Sequence, residues 1–132
     1  MSPLFDPIRR IFVPDLPEER VRQKWLQVMI QELGFPRGLI SVEKEIPGIE
    51  RRLDILCYTP QLQPLLLMEC KKKVSGKALQ QVIGYNREVR AYFLCLAFPL
   101  SCTIYWRTQG GYQSHNGLPY YEELLKAVAR GN

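Results

Sequence analysis

The alternation of apolar and polar positions divides the chain into helices and strands. Apolar residues at helical spacing follow Pro17 and stop at Gly34, which predicts a first helix. Three strand patterns come next, at 39–46, 50–58 and 65–68. The last of these is apolar without a break, and this is typical of a central strand that is covered on both faces.

The second half of the chain also contains both helical and strand patterns of apolar residues. It predicts a helix, two strands and a short final helix at 75–91, 92–98, 102–108 and 120–129. The order predicts an α/β fold in which helices flank a mixed central sheet. Residues 1–16 contain three prolines and little periodicity, so we expect an extended N-terminal arm before a single domain over 17–132.

Composition fits this globular interpretation, and charge adds a functional indication. The chain has 132 residues, 46% of them hydrophobic, and a formal net charge of +5. Residues 70–110 hold seven Lys and Arg but only one acidic residue, Glu88, so this segment supplies the whole positive excess. A concentrated positive charge favours a polyanion such as nucleic acid, although a solvated basic face is the alternative.

Several classes of protein are disfavoured. The longest apolar stretch, 91–100, is about half of the ~20 residues that a membrane-spanning helix needs, and residues 1–7 do not resemble a signal peptide. The four cysteines lie apart within apolar runs, so we expect buried thiols and a reducing, cytoplasmic setting. His115 is the one histidine, which excludes a His-rich zinc site; we place it in a loop without a role.

A candidate for chemistry lies where the most apolar strand ends. Glu69 and Lys71 are two residues apart and project to one face, and Asp54 joins them if its strand is the neighbour. Two converging carboxylates suit Mg²⁺ or Mn²⁺, and a lysine beside them can orient water or stabilise phosphoryl charge. The alternative is a salt bridge between Glu69 and Lys71 at the rim of the sheet. Glu43 and Glu45 share a predicted strand face, which an exposed outer strand explains more simply.

These residues resemble a known superfamily. Arg51-Arg52-Leu53-Asp54-Ile55, Leu65-Leu66-Leu67-Met68-Glu69-Cys70-Lys71 and Gln81-Val82-Ile83-Gly84-Tyr85 are similar to motifs of the PD-(D/E)XK nucleases. More narrowly, the chain resembles the N-terminal nuclease domain of the type I restriction enzyme R subunit over about residues 17–107. The resemblance implies a restriction-endonuclease-like core. Leu53 stands where many members of the superfamily have proline.

The resemblance also implies roles for individual residues. Asp54 and Glu69 would bind Mg²⁺ or Mn²⁺, with Glu19 or alternatively Glu18 completing the metal shell. Lys71 would position or activate water, and Gln81 would be the catalytic glutamine of the following helix. The residues expected to contact nucleic acid are Lys72, Lys73, Lys77, Tyr85 and Arg87.

The function expected on this basis is a Mg-dependent deoxyribonuclease of the endonuclease type. The 132 residues include no helicase motor, so we do not expect a complete restriction subunit. DNA and a larger restriction or repair complex are the expected partners, and a homodimer stays open. Two alternatives remain: a nucleic-acid-binding module of the same fold without useful catalysis, and an interaction domain of such a complex.

Overall fold

The computed structural model describes residues 2–131, so the predicted limits at 1 and 132 lie outside the described residues. Three helices and eight strands form within this range. The helices are α1 (Pro17–Gln31), α2 (Ala78–Val89) and α3 (Tyr121–Gly131). The strands are β1 (Leu4–Asp6), β2 (Ile11–Val13), β3 (Ile40–Lys44), β4 (Leu53–Tyr58), β5 (Pro64–Cys70), β6 (Phe93–Ala97), β7 (Cys102–Thr108) and β8 (Gly111–Asn116).

Strands β3 to β8 form one sheet whose spatial order follows the order in the chain. All neighbouring pairs are antiparallel except β5 and β6, which are parallel. That parallel pair requires a crossover, which α2 provides. The predicted α/β fold with a mixed sheet is confirmed.

The helices cover the sheet on two faces. Val21, Leu26 and Met29 of α1 pack in one buried cluster with Leu124 of α3. Val82 of α2 belongs to a second cluster on the other face. The central strands are buried by this arrangement, and residues 65–68 of β5 are all fully buried. The interpretation of 65–68 as a covered central strand is correct.

Two segments differ from the expectation. Residues 4–13 form a β-hairpin in which β1 pairs antiparallel with β2, rather than an extended arm. Its strands have only three residues each, too few for a periodic pattern between the prolines. His115 lies on the edge strand β8 rather than in a loop. The sequence of β8 is mostly polar and exposed, so it lacks the apolar alternation that marks a half-buried strand.

The cysteines behave as the sequence predicts. All four are free and buried. Burial raises the pKa of Cys57, so this thiol stays protonated at neutral pH. Within residues 2–131, no helix is both long enough and apolar enough to span a bilayer.

Candidate active site

Asp54 and Glu69 lie on neighbouring strands and hold each other in place. β4 and β5 pair antiparallel with Ile55 opposite Met68, so Asp54 and Glu69 follow as the next pair outward. The backbone N–H of Asp54 donates to Glu69 Oε2 at 2.9 Å, and the backbone N–H of Cys70 donates to Asp54 Oδ2 at 2.7 Å. Each carboxylate is therefore fixed by a backbone N–H of the opposite strand.

Glu69 is the more deeply buried of the two acids. Its relative exposure is 2%, and burial together with the negative charge of Asp54 raises the pKa of Glu69 to about 8. Glu69 Oε1 is buried and has no hydrogen-bond partner among the described residues. The nearest cation is Arg51, whose Nη2 lies 3.6 Å from that oxygen. Without a stronger cation beside it, the raised pKa favours the protonated form of Glu69.

Arg22 of α1 is the centre of the charged network on the other side of Asp54. Its Nη2 donates to Asp54 Oδ1 at 2.9 Å and also to Glu43, while Nη1 donates to Glu19 Oε1 at 2.9 Å. Burial alone would lower the pKa of Arg22, but Asp54, Glu19 and Glu43 together raise it above the usual value. The guanidinium is a permanent cation that joins α1, β3 and β4.

Sequence reasoning missed Arg22. A charged residue on a helix ordinarily indicates a solvated face, yet Arg22 is only 7% exposed. One signal was available: Arg22 follows Glu19 by three residues on the same helix face, and the first turn of α1 is acidic. The partners on β3 and β4 are apparent only from the folded arrangement.

Glu19 faces this network, whereas Glu18 is exposed. Beyond Arg22, the Glu19 carboxylate accepts from Arg9 Nη2 at 3.2 Å and from Gln23 Nε2 at 3.0 Å. The hydrogen bonds link Glu19 to Asp54 through Arg22. Of the two candidates, Glu19 is therefore the one that lies in the network containing Asp54, and there it forms ion pairs.

Glu43 and Glu45 do not form a pair. β3 is an outer strand, as expected, but it ends at Lys44, and Glu45 is exposed and pairs with Arg52 at 3.1 Å. Glu43 turns inward to Arg22 from a left-handed backbone with φ 58°. That conformation is costly for a residue with a Cβ, and such strain often occurs at functional sites.

Tyr85 reaches the site through Arg51. The Arg51 guanidinium lies over the Tyr85 ring, 5.7 Å from its centroid, and the same side chain faces Glu69. Gln81 lies one helical turn before Tyr85 on α2 and is exposed. Gln81 shares the helix face of Tyr85, but its side chain makes no hydrogen bond with Asp54 or Glu69.

Lys71 comes directly after β5. Its backbone N–H donates to the carbonyl of Ala97 at 2.8 Å, which continues the pairing of β5 with β6. Strand alternation then directs the half-buried Lys71 side chain to the face of Glu69. In the described part of the chain Lys71 has no ion-pair partner, so the alternative of a Glu69–Lys71 salt bridge does not form.

The other predicted nucleic-acid contacts are exposed. Lys72, Lys73 and Lys77 lie in the connection between β5 and α2, beside the end of the strand that carries Glu69. Arg87 lies in the last turn of α2. These side chains are open to solvent and available to an anion.

Comparison with protein families gives a match over most of the domain. The model of the family described as Type I restriction enzyme R protein N terminus (HSDR_N) matches residues 17–119. The chain belongs to this family. Asp54, Glu69, Lys71 and Arg22 all lie within the matched range, whereas the β1–β2 hairpin and α3 lie outside it.

A solved structure shares the fold of this R-protein N-terminal domain. It is a fragment assigned as an HsdR subunit of a type I restriction enzyme from Vibrio vulnificus YJ016, with a TM-score of 0.66 and 19% sequence identity. The similarity covers 86% of this chain and 25% of that chain, so the present chain spans about a quarter of that protein's length. A search among curated proteins found no match.

The carboxylates of this R-protein N-terminal domain fit a divalent cation in part. Asp54 and Glu69 supply hard oxygen ligands, and the unpartnered buried Oε1 of Glu69 is a donor that a cation would satisfy. Among the described residues no cluster of three His, Cys, Asp or Glu side chains is arranged to hold a metal. Mg²⁺ is commonly held by one or two carboxylates, with waters and substrate phosphate completing its shell, so two suffice.

Proposed function

We propose that this domain is a metal-dependent nuclease that hydrolyses phosphodiester bonds in DNA. Asp54 and Glu69 would hold Mg²⁺ or Mn²⁺, and Glu19 would support the site through Arg22. When bound, the cation would polarise the scissile phosphate and lower the pKa of an attacking water. The proposal extends to assembly with a larger restriction complex, since the family is that of the R protein.

The main support for the proposal is the buried carboxyl of Glu69, one oxygen of which has no hydrogen-bond partner among the described residues. A carboxyl that is 2% exposed, lies beside a second acid and has an unpartnered oxygen is unfavourable unless a cation or a proton is added. Structural sites ordinarily satisfy such groups with hydrogen bonds. A divalent cation between Asp54 and Glu69 would satisfy this requirement.

The surrounding residues would have distinct roles. Lys71, which has no ion pair within residues 2–131 and lies two residues after Glu69, would stabilise negative charge on a phosphoryl oxygen. Arg22 donates a hydrogen bond to Asp54 Oδ1 and thereby fixes the orientation of that carboxylate. Lys72, Lys73 and Lys77 would contact backbone phosphates, which position a duplex without reading its sequence.

The test is a nicking assay on supercoiled and single-stranded circular DNA with Mg²⁺, Mn²⁺ or Ca²⁺. We expect cleavage with the first two ions, little with Ca²⁺, and none after Asp54→Asn or Glu69→Gln. Lys71→Ala should slow cleavage by about 10²–10³-fold if lysine acts as strongly as an oxyanion-hole donor. Glu45→Gln removes an exposed carboxylate outside the site and is the matched control, which should cleave as the wild type does.

A second candidate is a DNA-binding module without useful catalysis. It is favoured by the arginines, because Arg22 and Arg51 already offset part of the carboxylate charge. This candidate gains support if the wild type binds DNA in a salt-dependent manner but cuts no faster than Glu69→Gln. Binding that is independent of salt would indicate an interaction domain instead.

A further inference from the structure

Three exposed arginines line one cleft at the far end of α2. Arg87 is in the last turn of the helix, Arg90 is its C-terminal cap, and Arg107 projects from β7. The cleft has a volume of about 730 Å³, and Tyr92 and Tyr112 also line it. It contains none of the proposed catalytic residues, and of the residues expected to contact nucleic acid it contains only Arg87.

The cleft has positive charge without compensation. None of its lining residues is acidic, and none of the three arginines forms an ion pair within residues 2–131. Five other arginines of the chain do pair with carboxylates: Arg9, Arg20, Arg22, Arg51 and Arg52. Three unpaired guanidinium groups around one concavity repel each other, so an anion between them would be favourable.

The backbone at Arg90 is held in an unfavourable conformation. Arg90 has a left-handed conformation with φ 60°, which is costly for any residue with a Cβ. The Asn86 side chain holds the next residue from both sides, accepting from the N–H of Ala91 at 2.8 Å and donating to its carbonyl at 3.0 Å. Helix caps of this kind usually carry Gly or Asn. Arginine here suggests that the side chain has its own use.

The cleft lies at the opposite end of the central parallel strands from Glu69. β5 and β6 run parallel, with Leu66 opposite Phe93 and Cys70 opposite Ala97. Glu69 is near the end of β5, whereas the cleft lies where α2 leads into β6. The twelve residues of α2 correspond to roughly 18 Å at a rise of 1.5 Å each. A phosphate that lies this far along the duplex on the same face could therefore reach the cleft while the scissile phosphate lies at Glu69.

We propose that Arg87, Arg90 and Arg107 form a second phosphate-binding site, which contacts the DNA backbone about one length of α2, roughly 18 Å, from the bond at Asp54 and Glu69. The inference rests on the proposed function, because it takes DNA as the ligand. Guanidinium groups bind phosphate oxygens in a bidentate manner, which suits a fixed contact better than lysine does. The site would orient the duplex along α2.

The experiment compares two double variants of the full chain. Arg90→Gln with Arg107→Gln removes the cleft charge, while Arg10→Gln with Arg37→Gln removes two exposed arginines beside another hollow near the hairpin. Each pair lowers the net charge by the same amount. Affinity for a 24-base-pair duplex, a length of about two helical turns, is measured by fluorescence anisotropy at several salt concentrations, with circular dichroism to verify folding.

We expect the cleft variant to bind at least about tenfold more weakly than the control variant. Its log–log salt slope should be shallower by about 1.8, or 0.9 for each lost phosphate contact. A neutral methylphosphonate placed roughly 18 Å along the duplex from the cut, on the same face as the scissile phosphate, should weaken binding of the wild type but not of the cleft variant.

The outcomes separate the two proposals. Wild-type protein that fails to bind DNA at any salt concentration contradicts the proposed function itself. If the wild type binds and the two double variants lose affinity equally, the second phosphate site is overturned while the proposed function stands. A Lys replacement at Arg90 and Arg107 keeps the charge, and it should restore most of the salt slope.

Discussion

At the scale of single residues, the buried carboxyl of Glu69 couples the site to folding. Its pKa is about 8 in the folded protein against 4.5 ordinarily, so the folded state binds the proton more tightly than the unfolded chain does. Between these values the folded state therefore holds more protons, and stability must fall as pH rises. The favourable contribution is complete below about pH 4.5 and is lost on passing through pH 8.

We expect the free energy of unfolding to decrease by a few kcal/mol between pH 5 and pH 8.5, since each unit of pKa shift corresponds to about 1.4 kcal/mol. Urea denaturation at several pH values measures this change. Glu69→Gln should flatten the dependence, and Asp54→Asn should weaken it because the Asp54 charge contributes to the shift. If the free energy of unfolding of the wild type depended on pH no more strongly than that of Glu69→Gln, the ionisation assigned to Glu69 would be wrong.

Arg22 gives the second prediction at this scale. Arg22→Met keeps much of the side-chain volume but leaves Asp54, Glu19 and Glu43 without their shared cation. Removing one partner of a buried ion pair costs about 3–5 kcal/mol, and we expect a loss of that order in urea denaturation. Arg20→Met is the control, because Arg20 forms a solvent-screened pair with Asp15 and should cost much less than Arg22→Met. An equal loss of stability in both variants would show that the buried ion pairs of Arg22 do not stabilise the fold more than an exposed pair does.

The sequence predicts some of these residues much better than others. Asp54 and Glu69 are identifiable because each is a carboxylate within an apolar strand, which is unusual without a reason. Arg22 and Glu43 look like ordinary surface charges in the pattern. They become part of the site only because α1, β3 and β4 pack together around them. Arg22 and Asp54, for example, are 32 residues apart in the sequence. Local periodicity carries no information about such a meeting.

At the scale of elements, the N-terminal hairpin is tied to α1 by polar contacts. Asp6 is fully buried, and its carboxylate accepts from two backbone N–H groups, from Arg9 and from Gln23 of α1. Burial alone would raise the pKa of Asp6, but these donors lower it below the ordinary value. Asp6 therefore stabilises the fold at neutral pH, and its contribution falls as acid protonates it.

Asp6→Ala should destabilise the protein by about 1–3 kcal/mol, because it leaves the buried donors without an acceptor. Thermal denaturation at pH 7 measures the change. Asp15→Ala is the control and should destabilise the protein much less than Asp6→Ala does, since its partner Arg20 is exposed. Equal destabilisation by the two substitutions would mean that the hairpin does not depend on Asp6.

Long elements with an apolar face could be predicted from the sequence, while short polar elements could not. α1, β5 and α2 each bury several apolar side chains, and their periodicity is visible over many residues. β8 pairs with β7 over six residues, but an outer strand needs no apolar face to keep its backbone hydrogen bonds. The two missed hairpin strands are stabilised by the Asp6 hydrogen bonds and by a single edge-to-face contact between Phe5 and Phe12, which leave no long apolar pattern in the sequence.

At the scale of the whole molecule, positive charge is concentrated at two ends of α2. Lys72, Lys73 and Lys77 precede the helix near Glu69, and the arginine cleft follows it. Such a distribution attracts a polyanion along the helix rather than at a single point. Asp54 contacts Arg22 of α1, and Glu69 faces Arg51, which stacks on Tyr85 of α2, so under the proposed function DNA that approaches along α2 would reach the carboxylates.

The last prediction tests whether charge placement matters more than net charge. Substituting Gln for Lys72, Lys73 and Lys77 removes three exposed lysines beside the site, and the control substitutes Gln for Arg10, Arg37 and Lys126, which are exposed elsewhere. Both variants lower the formal charge from +5 to +2. We expect the lysine variant alone to lose most of its affinity for duplex DNA, with a salt slope shallower by about 2.7 if each lysine contacts one phosphate. Anisotropy titrations between low and moderate salt measure both quantities, with thermal denaturation to show that both variants fold. Equal losses would mean that DNA responds only to the overall charge, and the loop between β5 and α2 would then have no specific part in binding.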